Sequence, residues 1–356
     1  MATDKTTVAW RWLLWSGSSH GVVKGDREMV MPQLGASVNT HDWSVISGYG
    51  SGGVWHYTSS VGLRGIVENH CLWATASTGL NDPTEVTYAL DEMRRTWKHY
   101  RDSPNLVGEV PRDAVDNLVN RLGEEIESHD LFVTSGSMEG DKLEHWKEYG
   151  RDQGYAVCLQ RYSIWRVRSH ADETASDELS FGSPFLRWHE VDYTKFVPSF
   201  TRPLETPSGR VLKEIITAVM KQRDGSVDEH TAHEYALNAA LRQLCWQKHA
   251  GYESEDEIRI AVMNPPSHTR HERPSAYGPR PVEYVELVGG DPTDHDATLL
   301  PANEPAPKLP ILAVRIGPRN TPTKLAEDLN ATAQLLDDNG YNVPVVASPT
   351  PFLRGR

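Results

Sequence analysis

The sequence predicts an α+β fold. Short strand-like runs and longer amphipathic stretches follow one another along the chain, with no internal repeat or low-complexity tract between them. The composition is that of a folded globular protein, with 38% hydrophobic and 24% charged residues. At 356 residues the chain holds one large domain with additions, or two domains.

Residues 1–53 are rich in Gly and Ser, carry scattered Trp, show no sustained period and read as an extension. Val54–Ser59 reads as a strand. Ser60–Asn69 has Leu63, Ile66 and Val67 at helical spacing, and Cys71–Ala76 reads as a second strand. Asp82, Pro83 and Glu85 form a capping box with proline, opening a helix through Val86, Leu90 and Met93. A further helix is expected over Arg112–Ser128, a strand over Leu131–Ser137, a helix over Lys142–Gly150 and a strand over Gly154–Gln160. Residues 161–209 read as loops with short strands. A helical insertion spans about 207–247, with helices at Val211–Gln222 and Glu229–Gln247. Asp256–Met263 is a strand. Asn264–Pro281 holds five prolines together with Arg270, Arg273 and Arg280, and reads as a long loop. Two strands ("VEYVELV" and "ILAVRIG"), a helix over Thr323–Asn339 and a last strand ("VPVVASP") complete the domain, 54–351.

The formal net charge of -13 disfavours nonspecific binding to a phosphate backbone, so contact with nucleic acid would need a local basic groove. Cys71, Cys158 and Cys245 are widely spaced in apolar surroundings and form no CxxC pair, which supports neither zinc nor a disulfide framework and fits a reduced cytoplasmic compartment. "VAWRWLLWSG" (Val8–Gly17) is too short and interrupted for a membrane span, so no membrane association is expected. "SHTRHER" (Ser267–Arg273) carries two histidines in a loop without the carboxylate or Cys partners of a firm site, so no metal is expected.

Three blocks carry chemistry. The first is His56-Tyr57-Thr58. The second is Ser135-Gly136-Ser137 followed by Trp146 and Tyr149, three apart on one helix and so on one face. The third is Glu255-x-Glu257-x-Arg259, which a strand places on a single face. Each has a structural reading as well. His56 alone suits a hydrogen-bonded strand histidine, Trp146 and Tyr149 suit packing, and Glu257 with Arg259 suits a cross-strand ion pair. Asn81 belongs to "NDPTE", which helix capping mostly explains.

Taken in order, "HYTS", "LWAT…LNDPTEV", "FVTSGS…GYAVCL", "Y.SEDEIR" and "ILAVRIGP…NGYNVPVVASP" resemble a widespread bacterial family, the domain of unknown function 2971 family, over about Val54–Pro351. Those blocks in turn resemble the ADP-ribosyltransferase fold of the His-Tyr-Glu type. The resemblance implies a split, mainly antiparallel β core with helical insertions and a C-terminal β-α-β arm. It also implies NAD as substrate, with no metal, and transfer of ADP-ribose to a macromolecule (protein or nucleic acid), or NAD hydrolysis, in a toxin or anti-phage setting. Glu257 would steady the oxocarbenium-like transition state through the ribose 2′-OH. Glu255 would orient or deprotonate the acceptor. His56 would bind the adenosine-side ribose, and Tyr57, Trp146 or Tyr149 would stack on nicotinamide. Thr58, Ser135, Ser137 and Asn81 fall in the binding blocks, and Arg259 meets a phosphate or pairs with a glutamate. Residues 264–281 would border the cleft and meet the acceptor. The alternative is a catalytically silent module that binds a nucleotide or partner and acts as a sensor, with Glu257 buried in a salt bridge.

Overall fold

The computed structural model describes residues 52–79, 85–101, 110–150, 154–170, 186–193, 206–275, 279–290 and 298–351. The strands are β1 (Gly53–Thr58), β2 (Leu72–Ala76), β3 (Leu131–Ser137), β4 (Tyr155–Gln160), β5 (Trp165–Arg168), β6 (His189–Glu190), β7 (Glu257–Met263), β8 (Arg270–Arg273), β9 (Val282–Gly289), β10 (Leu299–Leu300), β11 (Ile311–Ile316) and β12 (Val345–Ala347). The helices are α1 (Ser60–Asn69), α2 (Glu85–Tyr100), α3 (Arg112–Glu127), α4 (Leu143–Glu148), α5 (Pro207–Arg223), α6 (Glu229–Trp246) and α7 (Pro322–Asp338). Asn81, Asp82 and Pro83 lie outside the described residues, as does the extension up to residue 51.

Helix starts follow local side-chain chemistry. Ser59 Oγ accepts from Gly62 N at 3.1 Å and starts α1. Thr206, with Pro207 next, starts α5, and Asp228 starts α6. Thr321, followed by Pro322, starts α7. Each oxygen satisfies one of the amides that a helix N-terminus leaves unpaired.

Strand alternation sorts the core into layers. Phe132 on β3, with Ile258, Ile260 and Val262 on β7, faces the layer that holds Leu63, Ile66 and Val67 of α1 and Leu336 of α7. Leu131 and Val133 of β3, with Ala261 and Met263 of β7, face the opposite layer of α2, α3, α5 and α6. The helical insertion thus buries one end of β3 and β7. Trp55, Tyr57, Trp146, Ala156, Cys158 and Ala313 make a smaller cluster beside it.

The sheet is α+β in character and mostly antiparallel, with the order β10-β5-β9-β2-β3-β1-β4-β11-β12. Among the described strands, only β10–β5 and β11–β12 pair in parallel. The second of these, with α7 between its strands, is the expected C-terminal β-α-β arm. β7 runs along the whole of one edge of β3, from Leu131↔Met263 to Ser137↔Glu257. The other edge of β3 forks. β2 pairs with it at Phe132 and Val133, and β1 only at Ser137. Thr134, Ser135 and Gly136 therefore have no ladder partner on that side.

Two expectations change. Residues 264–275 are no open loop: a 3-10 turn at Ser267–Thr269 leads into β8, which pairs with β9 from Arg270↔Val285 to Arg273↔Val282. Nor does Glu255 lie on the strand. Ala250–Glu255 is a 3-10 turn, and Asp256, in the left-handed region at φ 43°, turns the chain into β7.

Candidate functional site

The fork between β1 and β2 holds a cavity of about 280 Å³. It brings together His56 and Tyr57 of β1, Ser135 and Ser137 of β3, Tyr149 at the end of α4, Glu255 of the 3-10 turn, and Glu257 and Arg259 of β7. His56 and Glu257 thus share one cleft.

His56 closes the fork. Its Nδ1 donates to the carbonyl of Ser135 at 2.9 Å, in place of the ladder partner that Ser135 lacks on the fork side. A carbonyl only accepts, so the proton sits on Nδ1 and Nε2 is left as an acceptor. Burial lowers the His56 pKa against the pull of the Ser135 carbonyl, so the ring is neutral at pH 7.

Glu257 is 6% exposed and carries four donors on two oxygens. Ser135 Oγ and Arg259 Nε reach Oε1, each at 2.5 Å. Arg259 Nη2 and Lys248 Nζ reach Oε2 at 2.8 and 3.0 Å. Burial alone would raise its pKa; Arg259, Lys248 and Ser135 overcome that and hold it at about 2. The pairing that sequence suggested between Glu257 and Arg259 is therefore present, and within the cavity wall. The Glu257 amide donates to Tyr193 Oη at 2.7 Å, which fixes the start of β7. Lys248 also binds Glu255 at 2.7 Å. Burial raises the Glu255 pKa, and Lys248 works against that rise.

The aromatics divide. The Tyr57 hydroxyl donates to Glu139 O at 2.8 Å and accepts from Lys142 N at 3.0 Å, which ties β1 to the chain ahead of α4. Trp146 does not line the cavity. It is buried edge-on behind Tyr57 at 4.7 Å, with its indole N–H on Asp141. Tyr149, the residue after α4, stays 38% exposed on the cavity side. Tyr149 is the C-cap of α4, still in the right-handed helical region with its N–H on His145 O at 2.9 Å, so what separates it from Trp146 is packing: Trp146 is buried behind Tyr57 and Tyr149 lines the cavity. Thr58 is also absent from the cavity wall. Ser137 lines it, and its hydroxyl accepts from Glu139 N at 3.2 Å. Of the arginines in 264–281, Arg273 lines the cavity and donates to Thr75 Oγ1 at 3.1 Å. Arg270 instead pairs with Asp130 at 2.7 Å and lies over Phe132.

Sequence reasoning missed Lys248, Tyr193, His145 and Trp73. Lys248 stands seven residues ahead of Glu255, a cation beside the acidic run, and that was the available signal. His145 lines the cavity against Tyr57, and burial, with Lys142, lowers its pKa to about 4. Trp73 is 45% exposed at the rim, tilted over Tyr284 at 4.4 Å. Nothing in the local pattern of Tyr193 marks it. The three cysteines are free and buried, with pKa values that burial pushes up to about 12. No helix among the described residues is long and apolar enough to cross a membrane.

Comparison with known proteins adds no relative: no protein-family model, curated protein or solved structure matches the chain.

Proposed function

We propose that the fork cavity binds NAD and cleaves its nicotinamide–ribose bond, passing ADP-ribose to a macromolecular acceptor or to water. The observation that carries this reading is the meeting of His56 and Glu257 in one cavity at the split of an antiparallel core, the arrangement implied by the resemblance to the domain of unknown function 2971 family and to ADP-ribosyltransferases of the His-Tyr-Glu type.

In this reading the nicotinamide lies against Tyr149, which lines the cavity beside Glu255 and Glu257 and is 38% exposed. His56 Nε2 accepts from a ribose hydroxyl and moves no proton. Arg273 supplies positive charge for the diphosphate. Glu257, ionised at any pH above about 2, steadies the positive charge that develops on the ribose as nicotinamide leaves. Its lone pairs are filled by its own donors, so one must give way to the 2′-OH. Lys248 is that donor, since Glu255 offers it a second carboxylate. Glu255, with its raised pKa, takes the proton of the acceptor hydroxyl or of water. The donor set of the cavity calls for no metal in this chemistry.

The test measures nicotinamide release and label transfer side by side for the wild type, Glu257→Gln and Ser135→Ala. The expected result is release by the wild type, loss on the order of 100- to 1000-fold in Glu257→Gln, and a smaller loss in Ser135→Ala. Glu255→Gln is expected to suppress transfer yet keep slow hydrolysis. Reversing Arg273 to Glu is expected to weaken NAD binding.

One observation favours a second reading. A carboxylate saturated by Arg259, Lys248 and Ser135 is also what a silent nucleotide-binding sensor would keep as structure. NAD binding without nicotinamide release, with any acceptor, would establish that reading instead.

A further inference from the structure

Away from the cavity, His170, His271 and Glu286 bring their ligand atoms within 4.8 Å of one another. We propose that these three residues form a zinc site that staples a break in the sheet.

The topology explains why they meet. One edge of β9 is covered by two strands placed end to end. β5 pairs with it from Trp165↔Gly289 to Val167↔Leu287, and β8 takes over at Arg270↔Val285. Glu286 sits at the junction between them. His170 lies just beyond the end of β5, and His271 is the second residue of β8. The two segments touch through one backbone bond, His170 N to His268 O at 3.2 Å. The ladder is interrupted there, and a metal bound by all three side chains would join β5, β8 and β9.

The donors suit zinc. Two imidazoles and one carboxylate are a borderline N and O set, and three protein ligands leave the fourth tetrahedral position to water. The His170 and His271 rings meet edge to face at 4.1 Å, and His170 Nε2 lies 3.7 Å from Glu286 Oε2. A second observation points to a ligand. Nε2 of His271 is buried with no hydrogen-bond partner, at the cost of an unsatisfied polar atom. Zinc coordination would satisfy it. Arg168 Nη1 donates to Glu286 Oε2 at 3.0 Å. A carboxylate has about four lone-pair sites, so this contact leaves room for a metal, and the bond fixes the orientation of the carboxylate. His271 also stacks on Tyr284, which lies under Trp73 at the cavity rim. The staple thus sits one aromatic layer behind the cavity and would set the position of β8, which carries Arg273.

The sequence could not show this. "SHTRHER" supplies one of the two histidines, and the carboxylate and the other histidine arrive from distant strands.

The experiment titrates the chelator-treated full chain with ZnCl2 by calorimetry, with Co²⁺ absorption as a report on tetrahedral nitrogen and oxygen coordination. The expected result is one equivalent of Zn²⁺ bound and a melting temperature that rises with zinc. His170→Ala, which removes a half-exposed ring, and Glu286→Gln, which keeps an acceptor for Arg168, are each expected to weaken binding at least about tenfold. His268→Ala, a neighbouring histidine outside the cluster, is expected to bind as the wild type does. No zinc uptake by the wild type, or equal uptake by His170→Ala and Glu286→Gln, would overturn the proposal. Magnesium is expected to give no heat, since imidazole donors do not suit a hard cation.

Discussion

Glu257 is the residue on which stability and chemistry meet. Arg259 is 2% exposed and spends two donors on it. Glu257→Gln therefore does more than remove the charge proposed to steady the ribosyl cation: it leaves Arg259 and Lys248 buried beside a neutral amide. Breaking a buried pair in this way costs about 3–5 kcal/mol. We expect a clear drop in the denaturant midpoint for Glu257→Gln. The double variant Glu257→Gln/Arg259→Met, which removes one of the two stranded charges and leaves Lys248 its bond to Glu255, should recover part of that loss. A melt of Glu257→Gln equal to the wild type would show that the ion pair contributes nothing to the fold. Activity of Glu257→Gln is to be compared at matched folded fraction. Ser135→Ala, which removes one hydroxyl donor, separates the two effects.

The fork depends on close approach. An ideal Cβ on Gly136 would lie 2.4 Å from Val54 Cγ1 and 3.2 Å from the Trp55 carbonyl. Both neighbours belong to β1 and Val54 is fully buried, so neither can retreat cheaply. Gly136→Ala should push β1 away from β3 at about 1–3 kcal/mol, within the range of core overpacking. If the fork binds NAD as proposed, Gly136→Ala should also weaken that binding, because His56 and Ser135 sit on the two strands forced apart. Gly136→Ala with unchanged melt and affinity would mean that β1 adjusts freely. Much at this scale was legible in sequence. β3, β4, β7 and α7 fall within a residue or two of their expected bounds, because their apolar periods are long and their caps are local. What was not legible depends on chain reversals. Glu255 keeps the alternation of a strand but sits in a 3-10 turn, and only the left-handed Asp256 brings its carboxylate to the site. Trp146 is taken up by packing against Tyr57, a tertiary contact that leaves only Tyr149 at the cavity. Lys248 and Tyr193 reach Glu257 through tertiary contacts, which no local period encodes. β8 was hidden by the prolines on either side of it.

Across the whole molecule, acid should act first through buried histidines. The pKa of His145 falls from 6.5 in the free side chain to about 4 in the fold, by burial and by Lys142. Below pH 6.5 the unfolded chain takes up a proton that the folded chain refuses, so stability falls as the pH drops from about 6.5 to about 4. His56 is lowered by burial too and adds in the same direction. Glu257 acts later: its stabilising charge is complete above about 4.5 and is lost as the pH falls through about 2. Melting temperatures should therefore decline between pH 7 and pH 5, and His145→Phe should flatten that slope. An unchanged slope in His145→Phe would place the acid sensitivity elsewhere. A crystal structure of the chain with a non-cleavable NAD analogue would show whether the fork cavity is the NAD-cleaving site we propose. The nicotinamide is expected against Tyr149, ribose hydroxyls on His56 Nε2 and Glu257, and the Lys248 ammonium moved from Glu257 to Glu255. An analogue bound outside the cavity, or bound there with all four donors still on Glu257 and no ribose contact to it, would contradict the claim.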